Sequence, residues 1–164
     1  MKSDIAQKRG KFIGKVNSLM QEFHYASTSV MMKLINVYTT SFYGSPLWDL
    51  CSADCNRIYS SWNVTVRNIL HIERTTHRYM IEPLSGCMHP KVMLASRYVG
   101  FYHGLVNSNK FSVRYLARLA ERDMRTVMGK TLNYILEQCN MDSSRLSQLS
   151  SSVVKSNLKY NEAT

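Results

Sequence analysis

The chain has 164 residues, about one domain's length, enough to bury roughly two thirds of its unfolded surface without disulfides. Its 45% hydrophobic content and mean hydropathy of -0.25 exclude a disordered chain, and no apolar run approaches the roughly 18 residues of a spanning helix. Lys and Arg number 21 against 11 acids, a formal charge of +10 that favours polyanionic partners, nucleic acid first and an anionic membrane second.

Apolar residues recur with a period of 3.6 and no stretch alternates, so the fold class is all-α, a compact bundle of about six or seven helices. A first helix is predicted from about Asp4 to Phe23, with Ile5, Phe12, Val16, Leu19 and Phe23 near one stripe and Lys8, Arg9, Lys11 and Lys15 crowding its first half. Ser27 or Ser29 caps a second helix, which Gly44 and Pro46 end. After a capping zone at Asp49 to Ala53, Ile58, Tyr59, Trp62, Val66 and Ile69 mark a third helix to about His71. Thr75 caps a short helix that Pro83 and Gly86 close, and Pro90 opens a long one to about Val106, apolar on nearly every side and therefore central. Phe111 to about Ala120 and Asp123 to about Cys139 read as two more. Arg114, Arg118, Arg122 and Arg125 recur at spacings of three or four, on one side. From about residue 141 the chain is Ser-rich and reads as a flexible tail, leaving residues 1–140 as one basic helical domain.

Chemistry that a catalyst requires is sparse. No Gly-rich phosphate loop, H-E-x-x-H or G-x-S-x-G occurs, and the acids are scattered, so the reading is no enzyme, no catalytic residue and no cofactor. Cys51, Cys55, Cys87 and His89 do not have zinc-finger spacing, and buried reduced thiols are expected instead of a metal site. Asn63-Val64-Thr65 matches a glycosylation acceptor by accident, since no hydrophobic signal stretch follows Met1-Lys2-Ser3-Asp4. An intracellular protein of cytoplasm or nucleus, neither secreted nor membrane-bound, is expected. Among the aromatics interleaved with basic residues, most fall on apolar stripes, and Trp48 is the best candidate for exposure.

Four segments carry a family resemblance: Phe12-Ile13-Gly14-Lys15-Val16-Asn17, Tyr38-Thr39-Thr40-Ser41-Phe42-Tyr43-Gly44-Ser45-Pro46-Leu47-Trp48, Trp62-Asn63-Val64-Thr65-Val66-Arg67 and Arg74-Thr75-Thr76-His77. Together they resemble the region after the palm in reverse transcriptases of non-LTR (LINE-like) retrotransposons, over roughly Asp4 to Cys139. The Y-G-x-x-x-W arrangement, the W-x-x-x-x-R helix and the R-T-T-H run are the most telling. That region is the thumb and the helical connection beyond it, which hold the primer and template duplex. The family's Y-x-D-D catalytic turn is absent from this sequence, so the resemblance implies grip without polymerisation and extends to Lys15, Arg67, Arg74, Thr75, His77 and Arg78.

The expected activity is binding of RNA/DNA or DNA duplex through phosphates. The residues are Lys8, Lys11, Lys15, Arg67, Arg74, Thr75, His77 and Arg78, with Arg114, Arg118, Arg122 and Arg125 as a second patch. The alternative is a helical interaction or scaffold module, with an exposed apolar face for another protein or a second copy.

Overall fold

A computed structural model describes residues 2–141 and 149–161, and among the described residues there is no strand. Eight α-helices follow in order: α1 (Lys2–Glu22), α2 (Thr28–Thr39), α3 (Ala53–Leu70), α4 (Ile81–Ser85), α5 (Pro90–Val106), α6 (Phe111–Arg122), α7 (Val127–Gln138) and α8 (Ser151–Asn161). Short 3-10 turns occupy Ser45–Leu47 and Arg78–Met80. The chain is therefore all-α, with one or two more helices than the periodicity suggested. Its backbone falls into two compact units, neither of them continuous in sequence: Met1–Tyr43 with Ala53–Pro90, and Gly44–Ser52 with Lys91–Thr164. This partition differs from the division at residue 140 drawn from the sequence.

In the first unit α1, α2 and α3 pack on one another and α4 rests on α3. The α1 stripe of Ile5, Phe12 and Val16 is buried, as are Met31, Met32 and Ile35 of α2 and Ile58, Tyr59, Trp62, Val66 and Ile69 of α3. Each such side chain contributes roughly 1.5–3 kcal/mol on burial. The Lys15 ammonium reaches the Tyr38 carbonyl at 3.2 Å and the Phe12 and Phe42 rings lie 6.1 Å apart, so α2 runs back along α1. Arg9 stands level with Ser61, while Met20 shares a hollow with Asn68 and Ile69, so α3 runs in the same sense as α1. His89 is buried against two rings, edge-to-face with Trp62 at 4.9 Å and tilted to Tyr59 at 5.7 Å.

In the second unit α5 supplies the core, with Val92, Leu94, Ala95, Tyr98, Val99 and Tyr102 buried. The Thr131 hydroxyl of α7 donates to the Trp48 carbonyl at 3.2 Å and accepts from the Leu50 amide at 3.5 Å, fixing the segment from Gly44 to Ser52 onto α7. Thr126 caps α7, its hydroxyl accepting the Gly129 amide at 3.0 Å. The stretch read as a flexible Ser-rich tail contains α8, because Leu149, Val154 and Leu158 are spaced to give a buried stripe. The Ser151 hydroxyl donates to the Ser96 carbonyl at 3.1 Å, and the Asn157 amide to that of Cys139 at 3.3 Å. Residues 142–148 and 162–164 of that stretch lie outside the described residues.

Candidate nucleic-acid interface

The basic residues form separate groups, each positioned by its helix. On α1, Lys8, Lys11 and Lys15 fall within about 60° on a helical projection, on the flank toward α2. Lys11 is exposed and Lys8 half-buried, and Lys15 leans on the last turn of α2, where unpaired carbonyls favour a cation. Arg9 lies on the opposite flank of the buried stripe, facing α3.

Arg67 in the last turn of α3 donates from Nη2 to the Thr76 carbonyl at 2.9 Å, while its buried Nε has no partner among the described residues. It therefore anchors the loop that carries Arg74, Thr75 and His77. That loop precedes the short helix instead of starting it. The Thr75 hydroxyl donates to Glu73 Oε2 at 3.0 Å and caps nothing, and the helical turn begins only at Arg78. Arg74, Thr75, His77 and Arg78 are all exposed, and the His77 ring stacks on Tyr79 at 5.5 Å and 21°.

In the second unit Arg114, Arg118 and Arg122 are exposed on α6, and Arg114 donates to the Ser108 carbonyl at 2.9 Å. Arg125 does not extend the row. Asp123 ends α6, and Arg125 lies in the following turn, paired with Asp123 at 3.2 Å. α6 buries only Ala117 and Ala120, leaving Phe111, Tyr115, Leu116 and Leu119 exposed.

Among the described residues, Lys8, Lys11, Arg74, Arg78, Arg118 and Arg122 make no hydrogen bond or ion pair with the chain itself. Their charge is available to an external anion.

Sequence reasoning missed a cleft of about 350 Å³ between α1 and α3. Arg9 and Asn17 line it from α1, and Arg57, Ser60, Ser61 and Asn68 from α3. The spacings 9-13-17 and 57-61-65-68, two rows of about one residue per turn, were its signal.

The thiols and aromatics also depart from expectation. Cys55, Cys87 and Cys139 are buried, and burial pushes the Cys87 and Cys139 thiols up, but Cys51 is exposed. Among the described residues no group of three or more His, Cys, Asp or Glu is placed to hold a metal ion. Trp48, expected outside, is only 2% exposed because its segment folds onto α7, whereas Tyr43 beside Gly44 is 88% exposed. Asn63 and Thr65 of the glycosylation-like triplet are buried within α3. Among the described residues, no helix is long and apolar enough to cross a membrane. No family model, no curated protein and no solved structure matches the chain.

Proposed function

We propose that this protein is a non-catalytic nucleic-acid grip, similar to the thumb of a non-LTR reverse transcriptase, that binds RNA/DNA or DNA duplex by its phosphates and works inside the cell. The supporting observation is the set of cations without partners among the described residues: Lys8, Lys11, Arg74 and Arg78 in the first unit, Arg118 and Arg122 in the second. Surface charge satisfied within the chain releases no counterions from a duplex, whereas unpaired charge does. Lysine and arginine groups of this kind, on separate elements and with no shared recognition surface, serve as phosphate contacts with little sequence preference.

The test is fluorescence anisotropy with labelled RNA/DNA hybrid, duplex DNA and single strands across a salt series. Replacing both Arg74 and Arg78 with alanine reduces the log-log salt slope by about two, at about 0.9 per phosphate contact. An unchanged slope removes that loop from the interface, and absence of binding at low salt removes the grip.

A second reading rests on the apolar surface. Val30, Val37 and Tyr38 on α2 and Phe111, Tyr115, Leu116 and Leu119 on α6 are exposed, as a protein-interaction module requires. Concentration-dependent self-association without nucleic-acid affinity favours that reading.

A further inference from the structure

The α1–α3 cleft is built unlike the open basic surface around it. Two helices running in the same sense present facing rows, Arg9, Ile13 and Asn17 from one and Arg57, Ser61 and Asn68 from the other. Arg9 is not a free surface side chain. Its Nε donates to the Ser61 hydroxyl at 2.8 Å, and that hydroxyl donates in turn to the Arg57 carbonyl at 2.7 Å, so the guanidinium is oriented from behind. The second guanidinium, Arg57, is held from the other side through one Nη by Asp54 at 3.0 Å. Two guanidiniums against one carboxylate leave the mouth with a surplus positive charge, and each retains N–H donors not used in these bonds. Ser60 adds a hydroxyl with no partner among the described residues, and Ile13 and Val64 add apolar surface between the arginine end and the amides of Asn17 and Asn68.

We infer that this cleft is a seat for one nucleotide, with its phosphate between Arg9 and Arg57. Planar guanidinium forks match phosphate oxygens bidentately, and charge-assisted bonds of this kind are about twice as strong as neutral ones. The volume lies at the lower end of the roughly 300–1,000 Å³ of small-ligand sites, more than a bare phosphate needs and enough for an attached sugar and base. The Ile13 and Val64 side chains offer a face to the ring, and the Asn17 and Asn68 amides supply donors and acceptors at the far end. The seat differs from the diffuse grip proposed above, which uses neither Arg9 nor Arg57. The same nucleotide chemistry is present at the end of a strand and in a free mononucleotide.

The experiment is an NMR titration of the isotope-labelled full chain with adenosine monophosphate, with inorganic phosphate, adenosine and acetate as comparison probes. Adenosine monophosphate shifts the Arg9 Nε–H and the Ser60 and Ser61 amide signals saturably, inorganic phosphate shifts them more weakly, and acetate and adenosine do not saturate them. Arg9→Gln and Arg57→Gln each weaken adenosine monophosphate about tenfold, the effect of losing one charged fork. Arg118→Gln leaves it unchanged. Ser61→Ala, which removes no charge, weakens it less but disperses the Arg9 signal. No saturation at Arg9 and Ser61, or equal weakening by Arg118→Gln, overturns the seat. Strands with a 5′-phosphate or a 5′-hydroxyl separate the sources: tighter binding of the phosphorylated strand, abolished by Arg9→Gln, places a strand end in the cleft. Equal binding of the two strands with saturable mononucleotide supports the seat as one for free mononucleotides. Duplex affinity that survives Arg9→Gln with no mononucleotide shift overturns the seat and leaves the grip standing, and mononucleotide binding without duplex affinity does the reverse.

Discussion

The Tyr98 phenol in α5 donates a 2.7 Å hydrogen bond to the Met128 carbonyl in the first turn of α7. Both rings of the Tyr98 and Tyr102 pair are buried, and burial raises their pKa values, with the Glu121 carboxylate adding to the effect at Tyr102. The folded state therefore favours the neutral phenols. Their contribution is fully present below the unfolded tyrosine pKa of about 10 and is lost as pH rises above it. Thermal melts between pH 8 and pH 11 should show stability falling at the alkaline end, less steeply in Tyr98→Phe. At neutral pH that variant loses about 1 kcal/mol, the net worth of one hydrogen bond to a half-buried carbonyl.

Glycine is tolerant at one site and obligatory at another. A Cβ on Gly129 would lie 2.2 Å from the Asp123 carbonyl oxygen and 2.9 Å from that of Ala120, both backbone atoms. Gly129→Ala should lower the unfolding free energy in a urea melt by about 1–3 kcal/mol, as overpacking does. Around Gly10 of α1 a Cβ meets nothing within 4 Å, so Gly10→Ala should stabilise by about 0.5–1 kcal/mol through helix propensity. Opposite signs in the two melts are the expected result.

Cys51 is exposed, yet its surroundings disfavour the thiolate. Partial burial, reinforced by the Asp49 carboxylate, pushes its thiol up to about 11 from an ordinary 9.0, which leaves less thiolate at neutral pH. Alkylation followed by mass spectrometry should find it slow despite its exposure, and Asp49→Asn should accelerate it.

Arg67 differs from its basic neighbours because its bond to the Thr76 carbonyl tethers the loop. Arg67→Met should speed amide exchange in residues 72–77 and weaken duplex binding while altering the salt slope by less than Arg74→Ala does. A slope change equal to that of Arg74→Ala makes Arg67 a direct phosphate contact instead.

Helix positions were legible because their stripes are strong: Ile5, Phe12 and Val16, or Ile58, Trp62 and Val66, repeat at the helical period and are buried. The long helix from Pro90, with Val92, Leu94, Tyr98 and Val99 buried, followed from the same pattern. The sequence was less informative where packing overrides local composition. Serine spacing masked the Leu149, Val154 and Leu158 stripe of α8, and Trp48, flanked by turn residues, is buried through the Thr131 hydroxyl more than eighty positions away. The cleft was hidden for a related reason. Arg9 sits among lysines in sequence, and only the packing of α1 on α3 turns it toward Ser61 and away from them.

The bond between Thr131 and Trp48 spans 83 positions. On a ribosome, the segment from Gly44 to Ser52 emerges early, and its bonds to Thr131 wait until α7 has been synthesised, whereas α1, α2 and α3 can close as soon as residue 70 or so has left the exit tunnel. During that interval Trp48 and Leu50 lack the α7 contacts they make in the folded chain. They are the point at which a chaperone recognising such segments would bind, and a pause in translation before residue 131 would prolong that window.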